Sequence, residues 1–213
     1  MADHNITVHR LKDMTDAEIE HFVAFNTKAY EGDSSMQMLL GGNWNLSGQL
    51  ARAMLVATLL EGQVYVAKGG DRIVATGLWF RPGTELFGTE KQRAASGFYD
   101  FLNMLTPEFQ NWYSQTYPDT LKREELFTDE ELARRWWCSN LVTDPEFQGR
   151  GYGKAIIRAV EQEKAKEKGE FIALATAVPL NVEKYHSMGF ADKGAFELES
   201  PLKRIKVHVL YRS

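Results

Sequence analysis

The run Gln148-Gly149-Arg150-Gly151-Tyr152-Gly153 leads directly into a helical stretch, Lys154 to Lys168. It follows a β-rich segment, Trp136 to Thr143, and a turn at Asp144-Pro145-Glu146. A strand, a glycine-rich turn and a helix are therefore dictated in that order. Ala155, Ile156, Ile157, Ala159 and Val160 make the first half of the helix apolar, its second half is rich in Glu, Lys and Gln, and Gly169 stops it. The first amides of a helix have no partner within it, and the helix dipole adds positive charge there. Glycines at 149, 151 and 153 let the main chain approach an anionic group such as a pyrophosphate, with Arg150 and Lys154 adding charge at the rim.

Two phosphate motifs fail on spacing. A Walker A loop needs four residues between Gly and Gly-Lys and a hydroxyl afterwards; here three residues separate Gly149 from Gly153-Lys154, and Ala155 follows. A dinucleotide fingerprint needs Gly-x-Gly-x-x-Gly early in a βαβ unit, whereas this turn reads Gly-x-Gly-x-Gly and lies late in the chain. A plain glycine-rich turn with no ligand stands beside the anion-binding reading.

The rest of the chain reads as alternating strands and helices without repeats. Ile6 to Arg10 alternates as a strand. Thr15 and Glu18 form a capping box for a helix to about Tyr30, with Ile19, Phe22, Val23 and Ala29 at helical spacing. Glu31 to Asn45 reads as loop with a short turn, and Ser47 is a cap for a second helix ending at Gly62. A hairpin follows, Gln63–Lys68 and Arg72–Phe80 around Gly69-Gly70-Asp71. Residues 84–135 are polar and aromatic, with helical patches broken by Pro107 and Pro118, and read as a helical insertion between strands 3 and 4. Phe171–Thr176 is a short strand, Pro179–Met188 a short helix, and Lys203–Tyr211 a strand with Ile205, Val207, Val209 and Tyr211 on one face.

Composition narrows the class. The chain has 213 residues, enough for a single domain, 1–213, with 84–135 as an insertion within it. Its net charge of −4 disfavours broad binding to nucleic acid. The one cysteine, Cys138, cannot form an internal disulfide or a structural zinc site, and the five histidines show no ligand spacing, so no metal is expected. No apolar run is long enough for a membrane span, and Met1–Asn5 lacks the basic start of a secretory leader. A soluble cytoplasmic protein is the expectation.

Leu141 to Gly153 resembles the acetyl-CoA signature of the GCN5-related N-acetyltransferases (GNAT superfamily), Arg/Gln-x-x-Gly-x-Gly/Ala, with Gln148, Gly151 and Gly153 at its fixed positions. Asn181 to Phe190, with Tyr185 and Gly189-Phe190, is similar to the family's segment after the fifth strand. The resemblance covers roughly 160 residues and leaves out Thr84 to Arg135. It implies an α/β fold, a central twisted mixed sheet flanked by helices. It also implies that the signature strand and its neighbour splay apart around the pantetheine arm of acetyl-CoA, the co-substrate. Carried over, Leu141, Val142 and Thr143 supply main-chain contacts and Gln148, Gly149, Arg150, Gly151, Tyr152, Gly153 and Lys154 form the pyrophosphate nest. Asn181 is placed near the thioester, and Tyr185 is placed as the acid for the departing thiolate.

The activity so implied is transfer of an acetyl group to a primary amine of a small molecule by direct attack on the thioester. The alternatives are a protein acetyltransferase acting on a lysine or N-terminal amine, and an acyl-CoA-binding module without turnover. Trp136-Trp137-Cys138-Ser139-Asn140 carries no carboxylate or histidine where some relatives keep a base, so Glu31 and Asp33 are candidates from the first inter-helix loop. Phe98, Tyr99, Phe101, Trp112, Tyr113 and Tyr117 are candidates for walls of the acceptor pocket, or for peripheral packing. Cys138 reads as a small buried group, and His9, His186 and His208 as ordinary surface or strand residues.

Overall fold

A computed structural model describes residues 6–117, 124–164 and 169–213. The expectations for Met1–Asn5, for the break at Pro118 and for the helix end at Lys168 lie outside the described residues. Seven strands form one mixed sheet: β1 (Val8–Leu11), β2 (Gln63–Gly69), β3 (Arg72–Phe80), β4 (Arg135–Thr143), β5 (Phe171–Thr176), β6 (Ala191–Glu199) and β7 (Arg204–Arg212). Their spatial order is β1-β2-β3-β4-β5-β7-β6. β4 and β5 are parallel, and the other neighbours are antiparallel.

The middle strands are apolar on both faces because both faces are covered. Ile73 to Phe80 of β3 is buried throughout. On one face lie α1 (Asp16–Ala29), α2 (Ser34–Leu39) and α3 (Ser47–Glu61), and on the other lies α8 (Tyr152–Lys164). Thr15 and Glu18 form the expected capping box of α1. Ile156, Ile157 and Val160 of α8 are fully buried against β2 and β3. Gly77 makes this approach possible, since a Cβ there would lie 2.8 Å from Ile156 Cγ2 and 2.6 Å from Trp79 Nε1.

Between β3 and β4 the chain forms α4 (Glu90–Ala95), α5 (Phe98–Asn103), α6 (Pro107–Asn111), a wider helical turn over Trp112–Thr116, a 3-10 turn at Glu124–Leu126 and α7 (Asp129–Leu132). Gly97, at φ +81°, separates α4 from α5, a conformation that side chains disfavour. Phe98, Phe101, Phe109 and Trp112 sink into the same core as α1 to α3.

The structure corrects several expectations. Glu31–Asn45 holds a true helix, α2, capped by the Asp33 side chain, and a 3-10 turn at Trp44–Leu46. Ser47 does not cap α3; the 3-10 turn runs straight into that helix and leaves Ser47 inside it. A whole strand, β6, escapes the sequence pattern. It is an edge strand, largely exposed and irregular between Asp192 and Gly194, so it lacks the alternation that marks a half-buried strand. Between α9 (Pro179–Ser187) and β7, only pairing with β7 defines it. Among the described residues no helix is long and apolar enough to cross a membrane.

Candidate active site

β4 pairs with β5 only from Arg135 to Cys138, opposite Phe171 to Leu174. Beyond that point its other edge stays bonded to β3, with Leu141 opposite Gly77 and Thr143 opposite Ala75. The change coincides with a bulge. Leu78 faces Asn140 and Trp79 faces Cys138, so Ser139 is the extra residue. A bulge bends its strand and inverts the alternation of side chains. Before it, Trp136 and Cys138 face α8; after it, Leu141 faces that side while Asn140 and Val142 face α1 and its neighbours.

The inversion creates a buried polar network. Asn140 Nδ2 donates to the Tyr30 hydroxyl at 3.2 Å, and Asn26 Nδ2 donates to Asn140 Oδ1 at 3.4 Å. The phenol oxygen of Tyr30 is thus an acceptor from Asn140, which leaves its proton to be given elsewhere. The Cys138 thiol reaches the Asn140 carbonyl at 3.5 Å.

Where β4 and β5 part there is a cavity of about 240 Å³. Cys138 to Leu141 and Leu174 to Val178 line its base, with Asn181 and Tyr185 from α9. Tyr30, Asp33, Met36 and Leu39 form one wall, and Phe196, Leu198, Ile205 and Val207 form the other. Burial, then the neighbouring Cys138 and Tyr30, push the Tyr185 phenol up and hold its proton in place. Burial likewise raises Tyr30, with Cys138 and Asp33 adding to it, and raises the Cys138 thiol. The Tyr185 hydroxyl takes no hydrogen bond from the described residues, and the ring packs on Phe190 at 5.5 Å between centroids.

The walls are joined at the far end. Trp112 Nε1 donates to the Glu199 carbonyl at the end of β6, and the adjacent Tyr113 hydroxyl donates to the Leu39 carbonyl at the end of α2, both at 2.7 Å. Lys203 Nζ, in the β6–β7 turn, donates to Gln37 Oε1 of α2, also at 2.7 Å. Of the aromatics named from the insertion, Tyr117 alone lines the cavity. Phe98, Phe101, Trp112 and Tyr113 pack into the core, and Tyr99 is exposed, hydrogen-bonded to Glu90.

None of Gln148 to Lys154 is among the residues lining the cavity; the glycine turn stands beside it, with Gly153 near Leu141 and Thr143 of β4. Gly149 and Gly151 have φ +76° and +87°, so glycine is required there by conformation. Gly153 lies in the first turn of α8 without that demand, and a Cβ on it would meet only Thr143 Oγ1 at 3.8 Å and Leu141 Cδ2 at 3.9 Å. The earliest bond into α8 runs from the Ala155 amide to the Gly151 carbonyl at 2.9 Å, so the amides just before it stand ahead of the helix ladder. Gln148 Nε2 donates to the Thr143 carbonyl at 3.3 Å, and Arg150 donates to the Glu146 carbonyl while its guanidinium lies over Phe147. The Val142 side chain is buried in the core, and the ladder, in which the Asp144 amide bonds the Val74 carbonyl, turns the Val142 main chain toward β3 and those of Leu141 and Thr143 toward the open edge. Of the two base candidates, Asp33 lines the cavity; Glu31 is exposed and outside it.

Residues 122–192, which include the parted strands and the glycine turn, match the acetyltransferase (GNAT) domain family. That segment is thus similar to a GNAT acetyltransferase domain. GNAT acetyltransferases use acetyl-CoA as acyl donor. The sequence matches no curated protein. Similar folds include the arylalkylamine N-acetyltransferase 2 of Aedes aegypti (15% identity, 98% of this chain and 99% of that chain, TM-score 0.59). The ribosomal-protein-alanine N-acetyltransferase of Brucella melitensis is also similar (12%, 97% and 98%, TM-score 0.56). A third is the histone acetyltransferase HPA2 and related acetyltransferase of Corynebacterium glutamicum (17%, 96% and 94%, TM-score 0.56). At these identities the likeness is one of fold, and it extends over 96–98% of this chain.

Sequence reasoning missed Asn26, Tyr30 and Asn140. Asn140 lies in the signature strand, yet the inversion that turns it toward α1 follows from a bulge that no sequence pattern announces. One signal was available. Asn26 and Tyr30 are four residues apart on α1, and an Asn among the buried Phe22 and Phe25 needs a polar partner.

Proposed function

We propose that this chain transfers the acetyl group of acetyl-CoA to a primary amine of a small molecule, by direct attack of the amine on the thioester. The observation that carries the choice of a small acceptor is the bridged far end of the cavity. Trp112 and Tyr113, neighbours in sequence, hold β6 and α2 respectively, and Lys203 ties the same two walls together. A peptide lying across the site needs an open groove there.

The coenzyme fits what lies at the other end. The edge of β4 not paired with β5 offers main-chain groups at Leu141 and Thr143 to the amides of the pantetheine arm, as to an added strand, with the Thr143 carbonyl shared with Gln148. Gln148 to Lys154 offer the helix-start amides to the diphosphate, and the room over Gly153 lets it come close. Asn181 stands beside Tyr185 on the cavity floor.

The reaction joins the amine nitrogen to the acetyl carbon and releases the thiol. The amine attacks only when neutral, so one proton must leave a group with a pKa of about 10. Asp33 is the carboxylate on the cavity wall and takes that role. Tyr185, whose proton burial holds on the hydroxyl, gives it to the thiolate as the C–S bond breaks, releasing the thiol, and takes back the second proton that the nitrogen loses as the amide forms. Tyr30, aligned by Asn140 and Asn26, has a proton free to meet charge on the acyl oxygen.

Gly153→Glu tests the coenzyme site. A carboxylate at a helix start is mildly favourable to the fold, but it faces the diphosphate. Acetyl-CoA affinity by calorimetry is expected to fall at least about 100-fold while Tm holds or rises slightly. Unchanged affinity would remove the coenzyme from this turn. Thiol release from acetyl-CoA with small amines tests the transfer; tight binding with no transfer would mark a binding module.

A further inference from the structure

We infer that the acceptor is a monoamine with an apolar body: one ammonium read by Asp33 and an uncharged alkyl or aryl chain lying between α2 and the β6–β7 hairpin. This rests on the transfer reading above and narrows its substrate. Among the described residues, Asp33 is the one charged side chain that lines the cavity, and no Lys or Arg faces it. Asp33 Oδ1 accepts the Met36 amide at 2.8 Å, which fixes the carboxylate at the start of α2 and leaves Oδ2 without a partner among the described residues. The walls beyond it are Met36 and Leu39 on one side and Phe196, Leu198, Ile205 and Val207 on the other.

Charge accounting then excludes whole classes of amine. A second ammonium, as in a diamine, would lie toward Leu198, Ile205 and Val207 with no second carboxylate among the described lining residues. Their other polar members (Ser35, Tyr117, Ser139, Asn140, Thr176 and Asn181 among them) are neutral, and burying an unpaired charge is strongly unfavourable. A carboxylate, as in an amino acid, would find no cation among the described residues lining the cavity, and the Lys203 ammonium at the bridge is engaged with Gln37 Oε1. The bridge at the far end prevents a long polar chain from escaping to solvent. A single amine with an apolar tail leaves no buried charge unpaired.

Three probes of equal length isolate the charge: hexylamine, 1,6-diaminohexane and 6-aminohexanoate, each assayed with the full chain at saturating acetyl-CoA. Expected kcat/KM for hexylamine exceeds that for the other two at least about 100-fold, consistent with the cost of an unpaired buried charge. Asp33→Asn keeps the helix cap, since Asn caps as well as Asp, and removes the charge. It is expected to raise KM for hexylamine about tenfold, the size of one ion contact, and, since Asn cannot take the amine's proton, to lower kcat about 100-fold as well, without changing acetyl-CoA affinity. Ile205→Glu is expected to lower hexylamine turnover and raise that of the diamine. Equal or better use of the diamine or the amino acid by the wild-type chain would overturn the monoamine inference and leave acetyl transfer standing. Acetyl-CoA binding with no transfer to any of the three would overturn both.

Discussion

The two halves of β4 put similar residues to opposite uses. From Arg135 to Cys138 the strand is bonded to β5, and at Trp137 and Cys138 to β3 as well; Trp136, Trp137 and Cys138 are buried, Trp137 and Cys138 also meeting the cavity. From Ser139 to Thr143 one edge is open and three of the five residues, Ser139, Asn140 and Leu141, line the cavity. One inserted residue, Ser139, divides them. Pairing with β5 ends at the bulge, which also turns Asn140 toward Tyr30, so the opening between the strands and the polar network beside it arise at one place in β4.

If that division is right, the closed half governs stability and the open half governs ligand binding. Trp136 is 1% exposed, and its indole Nε1 donates to Glu170 at 2.5 Å. Trp136→Ala should cost about 3–5 kcal/mol in urea unfolding, the range for deleting a buried aromatic. Leu141 is partly buried at the edge of the α8 core, and Leu141→Ala should cost the fold less than about 2 kcal/mol while weakening acetyl-CoA binding. Equal stability losses in the two variants would erase the distinction between the halves.

Tyr185→Phe sharpens the comparison from the opposite side of the opening. Its hydroxyl bonds to none of the described residues, so its loss should leave Tm within a degree or two, as expected where no hydrogen bond is broken. Turnover should fall about 100-fold, the lower range for a lost general acid, with acetyl-CoA affinity unchanged. A fully active variant would take the acid role away from Tyr185, and a large drop in Tm would make it a structural residue.

The sequence showed the glycine turn, the strand before it and the helix after it because each depends on local chemistry: φ above zero at Gly149 and Gly151, helical spacing of Ile156, Ile157 and Val160. The capping box at Thr15 and Glu18 was legible for the same reason. The remainder depends on pairing at long range. β6 is a strand because β7 lies beside it, and its own residues are largely exposed. The partners of Asn140 stand 110 and 114 positions away on α1. The insertion's aromatics were visible as a group, but which of them faced the cavity was set by the turn over Trp112–Thr116, which sends Trp112 and Tyr113 to opposite walls.

Cys138 marks the boundary itself, as the last residue of β4 paired with β5, and its thiol gives the smallest and most local test. Burial raises that thiol well above its ordinary range, with the Asn140 carbonyl contact pulling slightly the other way. In the unfolded chain it titrates near about 8.5. Above that pH the unfolded state has released a proton that the folded state still holds, so stability falls as pH rises, by about 1.4 kcal/mol per unit for one such group. Tyr30 and Tyr185, also raised by burial, add to the slope only above about 10, where unfolded tyrosines begin to ionise. Urea unfolding between about pH 8.5 and 10 should therefore slope downward in the wild type and flatten in Cys138→Ala, whatever stability the smaller side chain costs at neutral pH. The native thiol should also react with iodoacetamide only as fast as the protein opens. Parallel pH slopes in the two proteins, or rapid alkylation of the folded chain, would place Cys138 in the open half and move the boundary one residue toward Trp137.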